Sequence, residues 1–165
     1  MNHGKSNYVS GRIGEVDFDF ISHKYTSIKP IATIEGIRMM SAEDIAAMKI
    51  NAIVNSGQRV KDFIDMYYLF KKMSVDDGMG YYCAKYPNVD IDVARSSLLY
   101  HQDVDLNVPV LLMDRKLNWN AVAHGIKSAV WEFDNLQQAR ASYIKMQEAK
   151  KDRSKGQGNE TGHGF

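Results

Sequence analysis

Cysteine is all but missing from this chain. Cys83 stands alone among 165 residues, so an intrachain disulfide is excluded. Set in the run Tyr81-Tyr82-Cys83, with no neighbour to lower its pKa, the thiol reads as a small buried group and not as a reactive centre. The histidines are equally sparse in meaning. His3, His23, His101, His124 and His163 lie too far apart for a zinc pattern. No signal-peptide pattern opens the sequence and no apolar run has the length of a membrane span, so the expected compartment is cytoplasmic, with no membrane partner. Neither charge predominates. With 21 Lys and Arg against 20 Asp and Glu the net charge is +1, which provides no global field for nucleic acid; such binding would need a local patch. No internal repeat is evident.

What is present is 44% apolar and 25% charged residues, the composition of one globular domain with a proper core. Residues 1–10 are polar and read as loose. Residues 11–21 read as a strand, with Val16, Phe18 and Phe20 on one face and Asp17, Asp19 and Ile21 on the other. After Pro30 a second brief strand is expected near Ile34 or at residues 37–39. From there the pattern turns helical. Ser41 with Asp44 three residues on is an N-cap with an acidic version of the capping box, and Asn55-Ser56-Gly57 is a helix stop. A second helix is expected from about Val60 to Lys72. Asp76-Asp77-Gly78 reads as a turn before a third helix at 79–86, which Pro87 closes. Further helices are expected at 93–100 and 119–133, with an irregular crossing through Pro109 at 104–113. Asp134 reads as the cap of a last helix with Leu136, Ala139, Tyr143 and Met146 on one stripe. The aromatics Tyr67, Tyr68, Phe70, Tyr81, Tyr82, Tyr86, Trp119, Trp131 and Phe133 read as core. The fold class expected is α+β: a small N-terminal strand region at 1–40, a mostly helical bundle at 41–149, and a disordered tail at 150–165, where periodicity and apolar groups run out.

One region carries more information than the rest. In Ser41-Ala-Glu-Asp44-Ile45-Ala-Ala-Met-Lys49-Ile-Asn-Ala-Ile53, four-residue steps put the Lys49 ammonium on a helical face between Ile45 and Ile53. In Arg59-Val-Lys61-Asp62-Phe-Ile-Asp65-Met-Tyr67-Tyr-Leu69-Phe70, Asp62 and Asp65 lie on one side of the next helix with Arg59 and Lys61 beside them. Packed together, the two helices would turn these charges toward one another or toward a shared ligand. Spacing alone favours the simpler outcome, a structural ion pair between Lys49 and Asp62 or Asp65.

Ser41, Asp44, Ile45, Ala46, Lys49, Ala52 and Ile53, followed by Arg59, Lys61, Asp62, Asp65, Tyr67 and Leu69, resemble two motifs of the AbiEii/AbiGii nucleotidyltransferase toxins. The resemblance is clearest over residues 11–70. It implies a polymerase-β-like sheet followed by a helical portion, transfer of a nucleotide from a nucleoside triphosphate to an RNA acceptor such as tRNA, magnesium held by carboxylates, and a cognate antitoxin in a bacterial cytoplasm. It makes Lys49, Asp62 and Asp65 the candidate catalytic residues, and Lys49, Arg59 and Lys61 the triphosphate contacts. A glycine turn well ahead of a D-x-D pair belongs to the same pattern. Only five residues intervene between Gly11 and Asp17, which leaves no room for the intervening helix, so Asp19 matches a later, third acidic position with Asp17 as its neighbour. These two are the candidate metal ligands. The expectation is therefore a truncated site, lacking the glycine turn and the main metal pair. Two other classes stand beside it: a non-catalytic helical protein-interaction module, and an RNA-binding module using Arg140, Lys145, Lys150, Lys151, Arg153 and Lys155, whose charge Glu148 and Asp152 dilute.

Overall fold

The computed structural model describes residues 8–112, 114 and 116–156. It opens with two separate antiparallel hairpins, β1 (Tyr8–Ile13) with β2 (Val16–Ile21) and β3 (Ala32–Ile34) with β4 (Ile37–Met39). The single strand expected over 11–21 is thus a strand, a turn and a second strand. Gly14, at φ +59°, supplies the left-handed backbone that turns the chain there. Among the described residues five helices follow: α1 (Ala42–Asn55), α2 (Val60–Leu69), α3 (Val75–Lys85), α4 (Ile91–Leu99) and α5 (Trp119–Gly156). The α+β class, mostly helical, holds.

Local chemistry sets the helix ends. The Ser41 hydroxyl accepts from the Asp44 amide at 3.0 Å, as the capping pattern predicts. At α3 the sequence reading needs correction. Ser74 and Asp77 form a reciprocal capping box, so Asp76-Asp77-Gly78 is the first turn of a helix and not a turn before one. Asp90 caps α4 by accepting from the amides of Asp92 and Val93, which starts that helix two residues earlier than expected. Asp134 caps nothing. It lies inside one continuous α5 and pairs instead with Arg95 of α4. The helix also runs through residues 150–156, assigned above to the tail; residues 157–165 of that tail lie outside the described ones.

α1 is the central element, packed against α2, α3 and α4, while α5 packs against α2, α3 and α4 as well. Its buried stripe, Ala46, Ala47, Ile50 and Ile53, follows helical spacing. It meets Phe63 and Met66 of α2, Met79 of α3, Leu98 of α4, and Val122, Ile126 and Val130 of α5 in one core. Each large side chain so buried contributes about 1.5–3 kcal/mol of transfer free energy. Three expectations about this core fail. Cys83 is exposed, Trp131 is 66% exposed on the outer face of α5, and Tyr68 of α2 is 37% exposed. Neither hairpin makes a substantial contact with any helix. Among the described residues no helix is long and apolar enough to cross a membrane.

Candidate functional site

α1 and α2 bring together the charged residues singled out by their spacing. The Lys49 ammonium sits between two carboxylates of α2, 2.8 Å from Asp62 Oδ1 and 2.7 Å from Asp65 Oδ2. Arg59, the residue before α2, approaches the other Asp62 oxygen at 3.8 Å. The two acids are not equivalent. Asp62 is buried behind the lysine, its side chain only 4% exposed, whereas Asp65 is 46% exposed. Burial pulls the Lys49 pKa down, and the hydrogen bonds and charges of Asp62 and Asp65 outweigh it, so the net shift is upward from 10.5. The amine is therefore a fixed positive charge throughout the neutral range.

A cleft of about 460 Å³ opens over this cluster, lined by Lys49, Arg59, Lys61, Ile64, Asp65, Tyr68 and, from the irregular segment before α5, Val110, Leu111 and Leu112. An apolar hollow of about 310 Å³ adjoins it and shares Ile64, Val110 and Leu112. Three cations and one exposed carboxylate on a surface with an apolar wall can hold a polyanion whose other end is not charged. A larger hollow of about 680 Å³, between α3, α4 and α5, includes none of these residues.

The candidate metal ligands lie elsewhere. Arg12 engages both oxygens of Asp17, at 2.7 and 3.0 Å, and holds its carboxyl below the ordinary 3.8. Asp19 accepts from the Tyr8 hydroxyl at 2.8 Å. Both sit on the exposed hairpin, and neither lines the cleft. Among the described residues no three His, Cys, Asp or Glu side chains converge to hold a metal ion. As arranged here, Asp17 and Asp19 do not form a magnesium cradle, which needs several free oxygens around one point.

A second cluster was not legible in the sequence. Asp44, 1% exposed, receives the Lys85 ammonium at 2.6 Å, the amides of Ile28 and Lys29 at 3.0–3.1 Å and the Ser41 hydroxyl at 2.8 Å. Lys85 also donates to the Thr26 carbonyl at 3.1 Å. Burial alone would raise the Asp44 pKa, but Lys85, the two amides and Ser41 together hold it well below the usual carboxylate range. Asp44 belongs to the same motif as Lys49 yet faces the other way in function. It ties the segment before α1 to the helices, and nothing in the spacing of Asp44 and Lys85, 41 residues apart, announces it.

With this geometry in view, the comparison with protein families gives one result: the model of the family described as nucleotidyl transferase AbiEii toxin, Type IV TA system, matches residues 5–139. No curated protein and no solved structure matches the chain.

Proposed function

Because the chain belongs to the AbiEii nucleotidyl transferase toxin family, we propose that its α1–α2 cleft faces the triphosphate of a nucleotide that is to be transferred to an RNA acceptor, tRNA being the leading candidate. In such a transfer an acceptor hydroxyl oxygen bonds to the α-phosphorus while the bond from that phosphorus to the pyrophosphate oxygen breaks, and the hydroxyl proton is released to solvent. Negative charge grows on the departing pyrophosphate. Fixed cations aimed at it lower the barrier more than the same cations in water, since a partly dry cleft screens them less. Lys49 is the residue for that role, with Arg59 and Lys61 as outer phosphate contacts. Asp62 acts as a positioning residue: buried and 2.8 Å from the ammonium, it fixes where Lys49 points. Asp65 is the displaceable partner, exposed enough to yield its place to a phosphate oxygen and then to stand beside it as a carboxylate. The observation that carries this reading is the convergence of Lys49, Asp62 and Asp65 at a cleft that Arg59 and Lys61 also line.

The metal belongs to a finer reading. Magnesium, where the family uses it, supplies charge neutralisation at the phosphates. Since Asp17 and Asp19 do not fit it as arranged, transfer by this chain alone is expected to be weak or absent. A bacterial cytoplasm and an antitoxin that covers the cleft complete the proposal. Its test has two arms. Calorimetric titration with a nucleoside triphosphate is expected to show saturable binding that falls at least tenfold in Lys49→Ala and in the surface double variant Arg59→Ala/Lys61→Ala, with circular dichroism unchanged; no binding by the parent chain ends the reading. Incubation with labelled triphosphates, magnesium and total tRNA addresses completeness. Robust transfer, abolished by Lys49→Ala and Asp62→Ala, would overturn the idea that part of the site is missing.

One observation favours a second reading. The hairpins expose Val9, Ile13, Val16, Phe20 and Ile21, and Ile34 and Ile37 after them, as a non-catalytic interaction module would. Triphosphate binding that depends on Lys49 separates the two.

A further inference from the structure

Within the cleft, charge and apolar surface are segregated along α2. Lys61, Ile64, Asp65 and Tyr68 follow one another at steps of three, one and three residues, so they share one face of the helix. Seven helical steps take the chain from Lys61 to Tyr68, roughly 10 Å along the axis. The N-terminal end of that face is cationic, with Arg59 just outside the helix, and no side chain caps the α2 N-terminus, where the helix dipole also favours an anion. Lys49 reaches the middle, between Asp62 and Asp65. The C-terminal end of that face is different: it offers the Tyr68 ring, 37% exposed, and the cleft it borders is also lined by Leu111, fully exposed, with its chain neighbours Val110 and Leu112. Tyr68 makes an edge contact with Tyr67, ring centroids 5.3 Å apart, and the Lys71 ammonium stands over one face of its ring, 5.1 Å from the centroid, which leaves the other face for a ligand. An exposed leucine and a half-open tyrosine facing one cleft with three cations would be a poor surface for phosphate alone. They suit a ligand that is an anion at one end and a flat, weakly polar ring at the other.

Resting on the triphosphate reading of this cleft, we propose that it takes a nucleotide in one direction: phosphates toward Arg59, Lys61 and Lys49 at the start of α2, and the base stacked on Tyr68 beneath Leu111. Tyr68 and Leu111 are then the residues that distinguish a nucleotide from a bare polyphosphate. Stacking tolerates any base, since each has a π-face, so this end gives affinity for the ring without by itself choosing among the four.

The experiment compares two ligands on the full chain in metal-free buffer, a nucleoside triphosphate and inorganic tripolyphosphate. The parent protein is expected to bind the nucleotide more tightly. Tyr68→Ala should weaken nucleotide binding by about tenfold, the usual scale for one stacked base, and leave tripolyphosphate binding unchanged; Tyr68→Phe should restore the difference. Leu111→Ser, at a side chain that touches nothing in the core, should weaken the nucleotide in the same selective way, which keeps the test open if Tyr68→Ala disturbs α2. Lys49→Ala should weaken both ligands. Tripolyphosphate binding equal to that of the nucleotide, or equal losses for both ligands in Tyr68→Ala and none in Leu111→Ser, would overturn the proposed direction while leaving the triphosphate site standing. Binding of neither ligand by the parent chain removes the site itself.

Discussion

At the scale of single residues, the strongest structural commitment is the Asp44–Lys85 pair. Both side chains are sealed from water, at 1% and 0% exposure, and a charge so placed is tolerated only because every polar atom finds a partner: two amides, a hydroxyl and a carbonyl in addition to each other. Removing one partner strands the other. Asp44→Asn is therefore expected to cost about 3–5 kcal/mol in urea denaturation, and Lys85→Met added to it should recover part of the loss, since two neutral side chains leave no buried charge. A double variant no more stable than Asp44→Asn would mean that the pair is not coupled. The same carboxylate sets an acid limit. Its pKa is lowered on folding from 3.8, so the stability it supplies is complete above about pH 4–5 and is lost as pH falls below that, the unfolded chain taking up the proton first. Lys49 has the opposite sign. Its folded pKa is raised above 10.5, so its contribution is present below that value and disappears only in strong alkali. An unfolding series from pH 7 to pH 2 should show the acid loss in the parent protein and a flatter profile in Asp44→Asn/Lys85→Met.

At the scale of elements, the contact between α2 and α5 is set by a missing side chain. A Cβ on Gly125 would stand 2.6 Å from two ring atoms of Tyr67, closer than atoms can approach, so α5 lies against α2 only because position 125 is bare. Gly125→Ala gains up to about 1 kcal/mol of helix propensity and loses about 1–3 kcal/mol to overpacking. A net fall of about 1 kcal/mol in unfolding free energy is expected; a rise would mean that the Tyr67 ring turns aside at little cost. The elements also show what a sequence can and cannot declare. The α1 start was legible because Ser41 and Asp44 carry out their capping locally, and the Lys49 cluster was legible because three-residue spacing on α2 fixes Asp62 and Asp65 on one side whatever surrounds them. Asp134 and Asp76–Asp77 misled for the converse reason. An aspartate has the same letter whether it caps a helix, as Asp77 does from its first turn, or rides mid-helix to meet an arginine of another element, as Asp134 meets Arg95. The choice is made by tertiary neighbours, and no local pattern records them. The first hairpin was hidden by a single glycine, Gly14, within what otherwise alternates as one strand, and the second, turning at Glu35-Gly36, was read as one brief strand.

At the scale of the whole molecule, the first hairpin stands apart from the helices, with no substantial contact to any of them. Register pairs Val9 with Phe20, Gly11 with Phe18 and Ile13 with Val16, so that these six positions share one face, while Arg12–Asp17 and Ser10–Asp19 share the other. The apolar face is uncovered: Val9, Ile13, Val16 and Phe20 are each 58–74% exposed. A lone two-stranded hairpin is marginal in water, and this one's exposed ion pair adds little. The attachment to the helices begins only beyond it, where the Tyr25 ring meets Tyr86 at 4.4 Å and residues 26–29 close around Asp44 and Lys85. Deleting residues 1–22 should therefore leave the unfolding free energy of the helical part within about 1 kcal/mol, a shift in midpoint of a few degrees, and leave triphosphate binding at the α1–α2 cleft intact, because no residue of the cleft precedes Lys49. Deleting residues 1–30 should cost far more, since it strips the amides and the carbonyl from a buried ion pair and leaves its charges to an incomplete shell. Thermal unfolding of the two truncations beside the full chain decides the matter: equal losses in both would show that the hairpin is part of the cooperative unit, and a loss confined to the longer deletion would place the boundary of that unit between the hairpin and Tyr25.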